Sequence, residues 1–132
     1  MRIAIFDYRV TSNSPSGSCI LHFLPELARE HEITVFAASF DNPDPARIQG
    51  VHVPVMIRPL FLLFIAYHVM AACAYLLYRV RGGRPFDSIL KVGSTFSLGD
   101  TCYAHFCHRA YLAGAFRQAG NRGLRRWAFW LA

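Results

Sequence analysis

The sequence predicts an α/β fold, a Rossmann-like parallel sheet with helices on both faces. Two observations carry that expectation. Residues 1–40 read strand, polar loop, helix, strand, and strand and helix signals keep alternating along nearly the whole chain.

The first strand is the short apolar run 2–6, which breaks into the turn formers of residues 11–18, rich in Ser, Thr, Asn, Pro and Gly. From Ile20 onward the apolar residues Ile20, Leu24, Leu27 and Ala28 recur at helical spacing. Pro25 lacks a backbone donor and is expected to kink this helix or to mark a restart. His31 and Glu32 give way to a second apolar run at 33–38, completing a βαβ unit. Such a unit requires parallel strands, and in open parallel sheets ligands gather where loops leave the carboxyl ends of strands, here residues 7–18.

A turn cluster follows at 41–45, then a third short strand at 51–55 ended by proline chemistry. Residues 60–78 carry no charge and are bounded by Arg58 on one side and Arg79 and Arg81 on the other. A run of about 20 apolar residues has transmembrane length. However, His68 near its middle and the scattered Tyr67, Tyr75 and Tyr78 suit a helix with one face on the sheet and the other toward a second layer or a bilayer surface. Glycine and proline at 81–85 end the helix, residues 86–92 form a fourth strand, Gly93 opens a loop and residues 101–106 form a fifth strand. A further helix is expected to begin over 110–116.

The chain has 132 residues, enough for one core, and 54% apolar against 17% charged residues exclude a disordered chain. The apolar excess points to a partner domain or a membrane surface. Residues 123–132 sustain a helical pattern with no stop signal, so the chain is expected to be part of a longer protein. The net charge is +6, with thirteen Arg and one Lys, and beyond Asp100 there are five Arg and no acid. That balance suits phosphate groups or anionic lipid, or simply keeps a helix face solvated. Cys19, Cys73, Cys102 and Cys107 form no CxxC, and Asp7 interrupts the first apolar stretch too early for a secretory signal. A reducing cytoplasmic setting follows, with the cysteines expected as small buried hydrophobes.

The first loop is not a dinucleotide fingerprint, because a GxGxxG needs three glycines and only Gly17 is present. Two readings stay open for it: a phosphate or sugar hydroxyl held at a helix N-terminus, or an ordinary N-capping turn. The segment 102–108 packs Cys102, His105, Cys107 and His108 together, but strand alternation sends Cys102 to one face and His105 and Cys107 to the other, so no metal site is expected. His105 stands at the carboxyl end of a strand, where α/β sheets present side chains to ligands, although position alone equally allows a satisfied, half-buried histidine. Arg122, Arg125 and Arg126 beside Trp127 and Trp130 read as an amphipathic helix with a basic face. No nucleic-acid motif accompanies them, so no nucleic-acid partner is expected.

Taken together, the opening MRIAIFDYR with its small-residue loop and Gly17, the stretch LPELAREHEITVFAAS, and DTCYAHFCHRAYL resemble the amino-terminal half of the retaining, GT-B-fold glycosyltransferases of family 4. The resemblance implies a pair of Rossmann-like domains, the first holding the acceptor and the second the nucleotide sugar. Residues 1–132 would then be a partial N-terminal domain, with the C-terminal nucleotide-sugar-binding domain absent and the piece alone inactive. By motif, Ser16, Gly17 and Ser18 match the loop beside the donor phosphates and acceptor, and His105 matches a histidine that contacts the transferred sugar. The chain has one glycine where many members have two. The family's paired-glutamate motif, which belongs to the second domain, does not occur in it.

What the resemblance implies is hexosyl transfer in the full-length protein, with a nucleotide-sugar donor as co-substrate and no cofactor or metal. The implied partners are that donor, a sugar or lipid acceptor and the missing domain, with peripheral contact at the inner face of the membrane. The alternative is a non-catalytic, membrane-associated α/β binding module.

Overall fold

The computed structural model describes residues 1–55, 60–93 and 98–104. Seven strands and two helices follow one another in the order β1 (Arg2–Phe6), β2 (Arg9–Val10), α1 (Pro15–Glu30), β3 (Glu32–Ala37), β4 (Ser39–Phe40), β5 (Ile48–His52), α2 (Leu60–Val80), β6 (Ser88–Val92) and β7 (Thr101–Tyr103) among these residues. Five strands make one sheet ordered β5-β3-β1-β6-β7. Every neighbouring pair in it is parallel. The chain therefore starts in the middle of the sheet and builds outward in two directions, the doubly wound arrangement.

Strand alternation assigns each face of β1 to a different helix layer. Ile5 joins Ile20 and Leu24 of α1, with Ile33 and Val35 of β3, in one apolar cluster. Ala4 and Phe6 join Phe36, Val53 and Val55 with Tyr67 and Ala71 of α2 in the other. The sheet is thus buried on both sides, which is why β1 and β3 read as nearly continuous apolar runs. The second cluster is aromatic: Phe6 stacks on Phe36 with ring centroids 4.4 Å apart and an interplanar angle of 7°. Tyr75, Tyr78 and Phe86 meet Phe36 edge-on.

Helix α1 begins at Pro15, earlier than Ile20, because Ser14 supplies the N-cap and Pro15 fills the first turn, where no backbone donor is needed. It also runs through Pro25 without ending. Pro25 lies on the exposed face, where a lost hydrogen bond is the least costly. Helix α2 ends at Val80 and is stopped by the turn at Gly82, whose φ of +88° favours glycine. The Gly82 amide donates to the Arg79 carbonyl and the Gly83 amide to that of Tyr78, the paired bonds of a Schellman stop.

The third predicted strand, at 51–55, is shifted. β5 pairs Ile48 through His52 with Ile33 through Ala37 of β3, and Val53 and Val55 instead continue into the α2-side core. The fourth is shorter than 86–92, since Phe86 packs against Tyr78 rather than joining the ladder. The fifth runs Thr101–Tyr103 among the described residues; its expected continuation at 105–106 and the predicted helices over 110–116 and 123–132 lie outside them. The two-residue strands β2 and β4, which pair in parallel beside the main sheet, carry no sequence period and were not anticipated.

The cysteines are corrected as well. Cys19, Cys73 and Cys102 are free and exposed, not buried. Each stands where its backbone faces outward: Cys19 and Cys73 on the outer sides of the two helices, Cys102 on the last described strand. Cys107 lies outside the described residues.

Candidate functional site

At the carboxyl end of β1 the chain does not turn away at once. The Asp7 amide donates to the Phe36 carbonyl at 3.3 Å, and the Ala38 amide donates to that of Tyr8 at 3.1 Å, so the segment continues alongside β3. The pairing of β2 with β4 holds it there, and the Ser12 amide donates to Asp41 Oδ2 at 3.3 Å. The chain then enters α1 through Ser14, whose Oγ accepts from the Gly17 amide at 3.4 Å.

Three of the predicted site residues fall in the first turn of α1 and prove unlike one another. Gly17 is buried, and a Cβ built there would meet Thr11 N at 2.6 Å and Val10 Cα at 2.9 Å, besides colliding with the Arg9 carbonyl. Its glycine character is thus set by close packing of β2 over the helix start. The Ser18 hydroxyl turns back and donates to the Pro15 carbonyl at 3.1 Å. The Ser16 hydroxyl lies 3.4 Å from that of Ser14 and is near enough to Asp7 to lower the pKa of its carboxyl. His105 lies outside the described residues.

Asp7 is the residue that sequence reading passed over as a mere interruption. It is only 4% exposed. Burial raises its pKa from the ordinary carboxylate value to about 6, against the lowering effect of the Ser16 hydroxyl and the backbone of Tyr8 and Arg9. Its Oδ2 has no hydrogen-bond partner among the described residues. On the other side stands Tyr67 of α2, whose hydroxyl donates to the Phe36 carbonyl at 2.9 Å. Burial, with the Asp7 charge adding to it, pushes that phenol well above its usual range. An acid placed directly at the end of a buried strand was the available signal. Such a group costs stability, and groups of this kind concentrate at functional sites.

The sign of the cost can be tested. The folded chain keeps the Asp7 proton up to about pH 6, whereas the unfolded chain loses it near the ordinary value of 3.8. Stability from this group is therefore fullest below that lower value, falls as pH rises through the window and is flat above it. The shift corresponds to roughly 3 kcal/mol at neutral pH as an upper bound. Asp7→Asn is expected to melt higher than the parent at neutral pH, and the difference should shrink toward pH 4 (about the unfolded value). Thermal melts of both proteins across that range check it, and parallel curves would contradict it.

No group of three His, Cys, Asp or Glu residues converges to hold a metal among the described residues, while His105, Cys107 and His108 lie outside them.

An open doubly wound parallel sheet, with a polar loop at the carboxyl end of its central strand, is a Rossmann-like α/β fold with its loop where such sheets bind ligands. The chain is similar over 92% of its length to the crystal structure of WaaG, a glycosyltransferase involved in lipopolysaccharide biosynthesis, with a TM-score of 0.62 and 15% sequence identity. It covers 30% of the WaaG chain. No family model and no curated protein matches the sequence.

Proposed function

We propose that this chain is the acceptor-side half of a retaining family 4 glycosyltransferase, which takes part in moving a sugar from a nucleotide-sugar donor to a sugar or lipid acceptor. The supporting observation is the fold shared with WaaG, combined with the buried Asp7 at the carboxyl edge of the sheet, whose Oδ2 has no hydrogen-bond partner among the described residues. Asp7 is buried and acts as a positioning residue. Ser16, beside it in the first turn of α1, offers its hydroxyl to a ligand hydroxyl. In this reading the α1 N-terminus, with its positive dipole end, faces the donor phosphates. His105 hydrogen-bonds the transferred sugar as charge develops at the anomeric carbon. The groups that stabilise the departing nucleoside diphosphate belong to a second domain that grips the donor. A cytoplasmic location, at the inner face of a membrane, fits the free cysteines and the apolar surface of α2.

Titration calorimetry of this chain alone tests the division of labour. The expected result is no micromolar binding of a UDP- or GDP-sugar, because the donor-gripping half is elsewhere. Micromolar binding would overturn the domain assignment. The exposed face of α2 favours the second reading, a non-catalytic membrane-associated module, should the full-length protein transfer no sugar.

A further inference from the structure

The two helices that cover the sheet differ in a way that packing on the sheet does not explain. Helix α1 turns Pro15, His22, Glu26, Arg29 and Glu30 outward, an ordinary solvated face. Helix α2 turns out Leu62, Ile65, Val69, Cys73, Leu76 and Val80. These residues are spaced three or four apart and form one apolar stripe along the helix, with exposures from 41% at Leu62 to 84% at Val80. The stretch Leu62–Val80 is long and apolar enough to cross a membrane, with a mean hydropathy of 1.5. It is nevertheless docked on the sheet by Tyr67, Ala71 and the aromatic cluster. Crossing a bilayer would strip those contacts and bring the charged and polar groups of the sheet edge toward lipid.

Charge decides what covers the stripe. From Pro45 to Phe86 the sequence holds Arg47, Arg58, Arg79, Arg81 and Arg84 and no acid. Arg79, Arg81 and Arg84 are exposed at the end of α2. The ion pairs among the described residues are Arg2–Glu32, Arg29–Glu26 and Arg47–Asp44, so no carboxylate engages those three. Arg81 and Arg84 also line an open groove of about 730 Å³ that shares Leu77 with the helix. A second copy laid in parallel along the stripe would bring the two arginine ends together, and none of the ion pairs among the described residues neutralises them.

We infer that α2 is a membrane-docking surface that lies flat on an anionic bilayer. The stripe from Leu62 to Val80 enters the headgroup boundary, and Arg79, Arg81 and Arg84 meet lipid phosphates. The inference stands on α2 alone and holds whether or not the chain belongs to a transferase.

Co-sedimentation of the 132-residue chain with lipid vesicles tests it. Binding is expected to vesicles with about one third phosphatidylglycerol in phosphatidylcholine, to weaken strongly near ~1 M NaCl, and to be far weaker on phosphatidylcholine alone. Val69→Asp should lower vesicle affinity about tenfold or more, and Arg81→Gln with Arg84→Gln several-fold, the latter only on the anionic vesicles. All three positions are exposed, so thermal melting should be little changed. Equal binding to neutral and anionic vesicles, or unchanged binding by Val69→Asp, would overturn the inference. So would retention in the pellet after alkaline carbonate, which marks a span. A concentration-dependent dimer abolished by Val69→Asp, with no vesicle binding, would assign the stripe to a second copy.

Discussion

Replacing Phe36 with alanine is expected to destabilise the chain by about 4 kcal/mol, a large fraction of the stability of a domain of this size. Phe36 is fully buried in the β3 strand and is the hub of the α2-side core. It stacks on Phe6 and is met edge-on by Tyr75, Tyr78 and Phe86 at centroid distances of 6.3, 5.9 and 6.0 Å. Alanine removes the ring from all four and leaves a cavity that a β-sheet backbone cannot collapse to fill. Phe36→Leu keeps most of the volume and should cost closer to about 1.5 kcal/mol. Urea unfolding of the two variants checks the pair. Near-equal midpoints for parent and Phe36→Ala would mean that α2 is not docked on this face of the sheet.

Gly17→Ala sets two effects of opposite sign against each other. Within a helix, alanine is favoured over glycine by about 1 kcal/mol. Here the new Cβ would sit 2.6 Å from Thr11 N and 2.9 Å from Val10 Cα. These are backbone atoms, pinned by the β2–β4 pairing and by the Asp41 amide donating to the Val10 carbonyl. Unlike the tip of a flexible side chain, they cannot move aside cheaply. Packing therefore wins, and we expect a net loss of about 2–3 kcal/mol, read as a melting temperature lower by roughly 10 °C. The pKa of Asp7 should shift as well, because the displaced α1 start carries Ser16. A variant more stable than the parent would show that β2 does not lie over the helix.

These two sites also mark what the sequence reveals and what it hides. The aromatic and β-branched content of β1 and β3, the helical spacing of Ile20 and Leu24, and the Gly82 stop are local signals, and the doubly wound sheet follows from their order. The β2–β4 pair is only two residues deep, too short for any period to show, although it shapes the whole first loop. Gln49 and Gly50 dilute the apolar pattern of β5, so the eye moves on to Val51, Val53 and Val55 and misplaces the strand. The polar residues 15–18 look like loop, yet Ser14 and Pro15 are a legible N-cap and first-turn pair. Ser16 and Gly17 could be named from sequence. That one lies near a buried acid while the other accommodates a crossing backbone depends on tertiary approach, which no local pattern encodes. Asp7 was legible only as an anomaly.

The central claim, that this chain is the acceptor half of a sugar-transferring enzyme, is tested most directly by turnover of the full-length protein with and without His105. The measurement follows transfer from a panel of nucleotide sugars to glycolipid acceptors, with the anomeric configuration of the product read by NMR. The account predicts transfer with retention of configuration. It also predicts a fall in kcat of roughly 100-fold or more for His105→Ala, with thermal unfolding changed by less than about 2 kcal/mol. Inverted configuration, absence of transfer from every donor, or near-normal turnover by a well-folded His105→Ala protein would contradict it.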